Sequence, residues 1–280
     1  GDLLSGGYYK LGERLRYSWN GFLPQVNFNS VEGLNLTQTG TFRWRNDTTT
    51  NLRISPFIRY GFASEQLYGK IETIFGAGKG EQRNTFRVNF GTYVEQFNPG
   101  IVSPLINSWV TLVEKVNYMK LYEKDFANVS WTRRFRYKHV VSAKFEWANR
   151  NELFNNTDYS WGGDSDQNYR PNRPVSNESV TGPFSNAQSS QISIGYSLKP
   201  WLKFRRFNGE LIPLQDSSPE FKIHYRKGIS GLLGSEVDYD LLELGLISDF
   251  DLGVRASVDF ELRAGSFLNA NAMEFMDFKH

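Results

Sequence analysis

Apolar and polar residues alternate along most of this chain, most clearly in the stretch "GVRASVDFELRAG" at residues 253–265. Its apolar positions include Val258, Phe260 and Leu262, and its polar positions include Arg255, Asp259, Glu261 and Arg263. Successive side chains of a β-strand point to opposite faces of a sheet. The stretch therefore predicts a strand with one apolar face and one charged face.

The same alternation recurs in segments that begin near Leu34, Leu52, Phe86, Val141, Ile192 and Phe221. Weaker candidates occupy residues 8–18, 66–77, 126–137 and 236–248. The pattern predicts about ten or eleven strands of about 9–13 residues, which is long compared with the average of about 5–6 in globular proteins. Polar turns such as 46–51 and 78–84 predict hairpins. We find no flexible linker, so residues 1–280 are interpreted as one domain.

Two segments depart from the strand pattern. Residues 149–189 are rich in Asn, Ser, Asp, Gly and Pro and predict a long polar loop. Residues 104–124 predict a helix, with an apolar stripe of Leu105, Trp109, Leu112, Val113, Val116 and Leu121. This helix either lies at a membrane interface, with Lys115, Lys120 and Lys124 near head groups, or folds into a lumen. We expect its apolar stripe to pack on the barrel or on a partner.

The apolar face of the strands contacts either a protein core or lipid. Long strands, a polar loop among short turns, and aromatic residues near strand ends favour a transmembrane antiparallel β-barrel over a soluble barrel or sandwich. In the barrel the lipid-facing residues are Phe42, Trp44, Val88, Phe90, Phe145, Ile194, Val258, Phe260 and Leu262. The charged residues that line the lumen are Arg43, Arg53, Arg59, Arg87, Lys144, His224, Arg255, Asp259, Glu261 and Arg263.

Composition narrows the function classes. The 280 residues carry a net charge of +2, which is too balanced for a nucleic-acid-binding domain. The chain contains no cysteine, so disulfides and thiolate metal sites are excluded. No run reaches the roughly 18–20 apolar residues of a transmembrane helix, but barrel strands need only about 9–11 residues. We expect no cofactor.

The polar face offers few candidates for chemistry. His224 lies between Lys222 and Arg226 and could act as a general base with a lumen serine, but no G-x-S-x-G motif accompanies it. Asp238 and Asp240 share a face and could bind calcium, although a charged ladder paired with neighbouring arginines is simpler.

Polar-face arginines are the most distinctive set: Arg43, Arg45, Arg53, Arg59, Arg87, Arg255 and Arg263. A ring of arginines can favour anionic solutes. The simpler expectation is that these side chains pair with nearby carboxylates and brace the wall. The candidate carboxylates are Glu72, Glu95, Glu146, Asp259 and Glu261.

Six stretches resemble, in order, a family of Bacteroidetes outer-membrane proteins of unknown function. They are "FNSVEGLNL" (28–36), "PFIRYGF" (56–62), "VEQFNPGIVSPLINS" (94–108), "NYMKLYEKDF" (117–126), "IHYRKGI" (223–229) and "FMDFKH" (275–280). In that family a barrel typically follows a carboxypeptidase-regulatory-like β-sandwich domain, which is absent here. The family's barrel also continues beyond the last stretch. The resemblance therefore implies a barrel that is incomplete at both ends.

We accordingly expect a non-enzymatic barrel of the bacterial outer membrane, acting in transport or as a scaffold subunit of an envelope complex. Its expected partners are outer-membrane lipid and lipopolysaccharide, with other outer-membrane or periplasmic proteins in a complex, and no nucleic acid. The alternatives are a barrel-embedded hydrolase that uses His224 and a soluble β-sandwich binding module.

Overall fold

A computed structural model describes residues 2–22, 25–46, 49–79, 82–162, 168–173, 186–207, 209–214, 218–251 and 256–278. These residues form 15 strands, two α-helices and two short 3₁₀ helices. The α-helices are α1 (Asp2–Ser5) and α2 (Pro104–Glu114), and the 3₁₀ helices span Leu232–Gly234 and Phe275–Asp277.

The strands range from short edge segments to strands of 16 residues. They are β1 (Gly7–Lys10), β2 (Leu15–Trp19), β3 (Val26–Asn29), β4 (Gly33–Arg45), β5 (Thr50–Gly61), β6 (Gln66–Lys79), β7 (Gln82–Gln96), β8 (Leu121–Phe135), β9 (His139–Glu152), β10 (Ala187–Leu198), β11 (Phe204–Phe207), β12 (Glu210–Pro213), β13 (Glu220–Gly228), β14 (Asp238–Asp251) and β15 (Ser257–Ala272).

Thirteen of the strands form one antiparallel sheet in which neighbours in space are nearly always neighbours in sequence. Its order is β1-β2-β4-β5-β6-β7-β8-β9-β10-β13-β14-β15. Strand β3 pairs with the first part of β4, while β2 pairs with its last part, so β2 and β3 together occupy one side of β4. Strands β11 and β12 form a separate hairpin.

The prediction of a long-stranded, antiparallel, all-β chain is confirmed. Nine of the strands in the main sheet have 12 or more residues, and a tenth, β13, has nine. The expected closure into a barrel is not seen: in the described part of the chain no pairing joins β1 to β15, and the sheet is open at both edges.

The two ends of the sheet differ in their connections. At one end, which we name the turn end, β4 joins β5 through residues 46–49 and β8 joins β9 through residues 136–138. At the other end, named the long-loop end, residues 97–120 carry α2 and residues 153–186 form the longest connection. The predicted polar loop is therefore real but shorter than 149–189, because β9 continues to Glu152 and β10 begins at Ala187.

The predicted helix over 104–124 is wrong in its length. Helix α2 ends at Glu114, because Lys115 adopts a left-handed conformation with φ 56° and ends the helical hydrogen bonding. Residues 116–120 have no regular secondary structure, and Leu121 begins β8. The side chain of Asn107 holds this segment by accepting the backbone N–H groups of Tyr118 and Met119, both at 3.0 Å.

The predicted packing of the α2 apolar stripe on the sheet is not seen for Leu105 and Trp109, whereas packing on a partner stays a prediction. Leu105 and Trp109 are 70% and 62% exposed, whereas the buried residues of the helix are Asn107 and Thr111. Asn107 donates to Asn117 Oδ1 at 2.8 Å and to Thr111 Oγ1 at 3.2 Å. The helix is thus anchored through its polar side by side-chain hydrogen bonds, and its apolar side faces outward.

Tight apolar packing is concentrated in two clusters among the described residues. The larger cluster contains Val31, Tyr68, Val94, Met119 and Leu121 at the long-loop end. The smaller cluster contains Val237, Tyr239 and Leu241, where β14 begins. No described helix has both the length and the apolar character required to cross a lipid bilayer.

Candidate functional site

The strand register sorts the side chains of the sheet into two faces, because directly paired residues of antiparallel strands lie on the same face. One row crosses seven adjacent strands and is apolar at six of seven positions. It comprises Phe42, Ile54, Thr73, Val88, Val129, Phe145 and Ile192. We name the face that carries this row the apolar face and the opposite one the polar face.

Apolar residues on the apolar face are exposed to an unusual degree. Val129 and Ile194, in the middle of the sheet, are 51% and 52% exposed, and Leu262 near its edge is 61% exposed. All nine residues predicted to face lipid lie on this face, by register with the row above or by alternation along β15. Contiguous exposed apolar surface of this extent marks a membrane or protein contact surface.

The apolar face has polar borders on β7. Asn84 accepts a hydrogen bond from Trp131 Nε1 at 3.2 Å, and Thr92 donates to Asp125 Oδ1 at 2.5 Å. Phe86, Val88 and Phe90 lie between these borders. Eight residues of extended strand span about 27 Å. For a strand tilted by about 35–45° this length corresponds to about 19–22 Å along the membrane normal, somewhat less than the apolar band of about 25 Å in transmembrane barrels.

The polar face carries a cavity of about 750 Å³ near the turn end. Its described lining contains eight arginines but a single carboxylate, that of Glu13. The arginines are Arg14, Arg16, Arg43, Arg45, Arg53, Arg83, Arg87 and Arg134. We name this site the arginine cavity.

Register places several of these arginines directly beside one another. Arg43 of β4 pairs with Arg16 of β2 on one side and with Arg53 of β5 on the other. On the neighbouring strands Arg83 of β7 pairs with Arg134 of β8. Like charges directly opposite each other destabilise a sheet, by an amount comparable to the roughly 0.2–1 kcal/mol that a favourable cross-strand pair contributes. The cavity therefore concentrates positive charge at the expense of local stability.

None of the eight arginines forms an ion pair with a described carboxylate. Arg14 Nη1 donates instead to the amide oxygen of Asn46 at 2.6 Å. The expectation that Arg43, Arg45, Arg53 and Arg87 brace the wall through carboxylates therefore fails within the described residues. The reason is the register, which sets no acidic residue opposite them: Arg43 and Arg53 pair with each other, Arg45 pairs with Asn51, and Arg87 pairs with Ile74 and Ser130.

Bracing does hold for two of the predicted arginines. Arg59 is mostly buried and forms a bidentate pair with the fully buried carboxylate of Glu32, with Nε 2.7 Å from Oε1. Arg263 pairs with Glu261 on its own strand at 2.5 Å. Asp259 lies on the same face of β15, opposite Asp249. Arg255 lies outside the described residues.

A second cavity of about 550 Å³ continues along the polar face toward the long-loop end. Several of its charges are paired: Glu146 accepts ion pairs from Lys144 at 2.7 Å and from Lys124 at 2.8 Å. Arg150 and Asp277 form a buried bidentate pair at its border, with distances of 2.8 and 3.1 Å. This pair fixes the 3₁₀ turn Phe275–Asp277 against β9.

His224 lies in the second cavity and approaches a catalytic arrangement without completing it. Its Nδ1 lies 3.0 Å from Glu243 Oε2. Ser142, Gly195 and His224 follow one another in the same cross-strand row. The Ser142 hydroxyl donates weakly to the Gly195 carbonyl at 3.5 Å, and no hydrogen bond joins it to His224 within the described chain. A base and its orienting carboxylate are present, but the serine is not engaged.

The acidic pair proposed as a calcium site binds side chains instead. Asp240 accepts Lys227 Nζ at 3.0 Å and the Tyr225 hydroxyl, and Asp238 accepts the amides of Asn269 and Asn271. The described residues contain no group of three or more His, Cys, Asp or Glu side chains arranged for a metal ion. The expected pairing with arginine is not seen, since the partners are lysine, tyrosine and asparagine.

Sequence reasoning missed half of the arginine cavity. Arg14, Arg16, Arg83 and Arg134 lie at the turn end, in or beside segments whose alternation is weak or broken. One signal was available: Arg43, Arg45, Arg53 and Arg83 all lie in or close to a predicted turn. The pairing of the strands brings these arginines together, and no local sequence pattern predicts that pairing.

The complete chain, residues 1–280, matches the model of a protein family described as "Family of unknown function (DUF5686) C-terminal domain". No curated protein and no solved structure matches the chain. The resemblance to a family of unknown function is thereby confirmed. A Bacteroidetes source and an upstream regulatory-like domain stay predictions.

Proposed function

Because the chain belongs to the DUF5686 family of unknown function, as its C-terminal domain, we propose its function from the two faces of its sheet. The sheet is the wall of a β-barrel in the bacterial outer membrane, with its apolar face toward lipid and its polar face toward the lumen. It acts non-enzymatically, in the passage of solutes, and its lumen admits or holds anions. Outer-membrane lipid and lipopolysaccharide are its surroundings.

The observation that carries this proposal is the contrast between the exposed apolar band and the charged cavities behind it. A sheet whose apolar face were its core would bury Val129 and Ile194, yet both are about half exposed. The face that holds the cavities is instead the one with the charged residues. This is the reverse of a soluble sandwich and agrees with a barrel that surrounds a polar lumen.

The proposal requires that the sheet has no open edge in the bilayer, since unpaired backbone groups are not tolerated in the hydrocarbon region. The free edges are those of β1 and β15. They pair either with each other or with further strands in the membrane form. Crosslinking between cysteines placed on β1 and β15 distinguishes the two arrangements in this cysteine-free chain.

Membrane insertion is tested by reconstitution into liposomes, followed by flotation and an alkaline carbonate wash. We expect the protein to float with the lipid, to resist the wash, and to show β-sheet circular dichroism that survives mild heating in detergent. A monodisperse, folded protein in detergent-free buffer would contradict the proposal and favour the soluble binding module.

Transport is separated from a scaffold role by recordings in planar bilayers. We expect discrete conductance steps with selectivity for anions, because the arginine cavity carries a large excess of positive charge. Folded, inserted protein without conductance would contradict transport. Co-purification in mild detergent of another outer-membrane or periplasmic protein at fixed stoichiometry would then support the scaffold role.

The hydrolase alternative has one supporting observation, the row that joins Ser142 to the His224–Glu243 pair through Gly195. Hydrolysis of phospholipid or peptide substrates by the reconstituted protein, lost in both Ser142→Ala and His224→Ala, would favour this alternative. We expect no hydrolysis, because the serine has no hydrogen bond to the histidine in the described structure.

A further inference from the structure

We propose that the arginine cavity is a binding site for an anion that carries several phosphate groups. The proposal deepens the proposed function, since it rests on the polar face being the lumen of the barrel. Its ligand class follows from the number and spacing of the arginines and from their lack of acidic partners among the described residues. The shared chemistry is a chain or cluster of phosphates, either free in solution or on a lipid head group.

The charge arrangement calls for an external counter-ion. Arg43 is flanked across two strand pairs by Arg16 and Arg53, and no described carboxylate lies within ion-pair distance of any of the three. Elsewhere on this face several buried or half-buried cations have acidic partners, as Arg59 has Glu32 and Lys124 has Glu146. The eight arginines of the cavity are exposed, line open space and have no such partner among the described residues.

The spacing favours a ligand with more than one phosphate. The row that contains Arg16, Arg43 and Arg53 continues through Ile74 to Arg87. Adjacent strands lie about 4.8 Å apart, so the Cα atoms of Arg16 and Arg87 are about 19 Å apart along the sheet. A single phosphate cannot contact this whole row, whereas a chain of phosphates can bind successive guanidinium groups.

The residue type favours phosphate oxygens as the ligand atoms. Guanidinium groups form bidentate, charge-assisted hydrogen bonds with phosphate and remain charged at all physiological pH values. All eight cations that line the cavity are arginine and none is lysine. The cavity of about 750 Å³ is large enough for a small oligophosphate.

The test measures binding of inorganic tripolyphosphate to the full chain in detergent, by isothermal titration calorimetry at fixed ionic strength. The variant is Arg43→Gln/Arg53→Gln, which removes the centre of the row. The matched control is Arg263→Gln, which removes an arginine of the same face that already pairs with Glu261. Circular dichroism and thermal unfolding of each sample confirm that it is folded.

We expect saturable binding to the unmodified chain and to Arg263→Gln within about twofold of each other, and weakening by at least about tenfold in the double variant. Orthophosphate at matched ionic strength should bind at least about tenfold more weakly than tripolyphosphate. Equal binding by the double variant and the control, or equal binding of both phosphates, would overturn the proposal. If the double variant does not fold, the variant Arg83→Gln/Arg134→Gln, which removes the second arginine pair, is tested in its place.

Competition identifies the source of the phosphates. Displacement of tripolyphosphate by diphosphoryl lipid A in micelles, but not by the monophosphoryl form, supports a lipid head group. Displacement by neither supports a soluble oligophosphate. Folded protein that inserts into liposomes but binds no tripolyphosphate contradicts this inference alone, whereas protein that does not insert contradicts the proposed function whatever it binds.

Discussion

Arg43 and Arg53 are direct cross-strand neighbours on the polar face, and neither has a carboxylate partner among the described residues. Arg16 extends the pair to a row of three. A sheet normally avoids opposed like charges, because each such contact is destabilising. The row is therefore not accounted for by the stability of the sheet, and it is the basis of the proposed oligophosphate site.

Substituting Arg43 by Glu should stabilise the folded protein in low-salt buffer without phosphate. The change replaces two repulsive contacts by two attractive ones, each worth about 0.2–1 kcal/mol. Thermal unfolding in detergent measures the gain, which should shrink as salt is raised because exposed charges are screened. In the control, Arg263→Glu should destabilise, since it sets two carboxylates beside each other. A decrease in stability for both variants would contradict the interpretation of the row.

Charge on the apolar face should be far less tolerated than charge on the polar face at adjacent residues. Val129→Glu should reduce folding into liposomes by about 1–2 kcal/mol, below the roughly 2–4 kcal/mol of Arg or Lys at a bilayer midplane. Ser130→Glu lies between Arg87 and Lys144 on the polar face and should be neutral or stabilising. Equal folding yields of the two variants would contradict the assignment of the faces.

Removing the carboxylate of Asp277 should be strongly destabilising. It is fully buried, pairs twice with Arg150, and accepts Gln191 Nε2 at 2.8 Å. Asp277→Ala leaves the Arg150 charge buried without its partner, which costs about 3–5 kcal/mol. Gln191→Ala removes one hydrogen bond and should cost about 1 kcal/mol. Denaturant unfolding in detergent compares the two, and equal losses would show that the ion pair is unimportant.

Helix α2 should depend on its polar side rather than its apolar side. Asn107 is fully buried and makes four side-chain hydrogen bonds, so Asn107→Ala leaves several buried groups unsatisfied and should cost about 3 kcal/mol. Leu105→Ser is on the exposed side and should change stability in detergent by less than about 0.5 kcal/mol. Thermal unfolding checks both variants, and a larger loss for Leu105→Ser would contradict the observed orientation.

Tyr169 should make the long connection at the long-loop end sensitive to alkaline pH. Its hydroxyl oxygen lies 2.8 Å from the backbone carbonyl oxygens of both Thr111 and Tyr159, which share its single O–H donor. Burial raises the pKa of Tyr169 to about 12. The folded state thus favours the neutral phenol, and this stabilisation is complete below the ordinary pKa of about 10 and is lost as pH rises through about 12.

Ultraviolet difference absorbance of tyrosinate, measured between the unmodified chain and Tyr169→Phe, isolates this titration. We expect a midpoint near pH 12, accompanied by faster proteolysis of residues 153–173. The Phe variant should be proteolysed faster already at neutral pH, because two carbonyls lose their donor. A midpoint near pH 10 would show that the hydroxyl is solvated.

Local alternation determined much of this fold. The sequence allowed the strands that contain Val88, Phe145, Ile194 and Leu262 to be assigned. It also gave the face of each side chain, because every second residue along a strand lies on the same face. The long connection between β9 and β10 was likewise evident from its composition, to within a few residues at each end.

The end of helix α2 and the contents of the arginine cavity were decided only by the tertiary structure. The helix ends at Glu114, and the chain then turns back so that Asn117, Tyr118 and Met119 form hydrogen bonds with the side chain of Asn107. These contacts outweigh the helical pattern of the apolar residues. The cavity exists because register sets Arg43 between Arg16 and Arg53. Alternation assigns a side chain to a face, but which residue lies opposite depends on how distant strands pair, and this depends on turns and packing over the whole sheet.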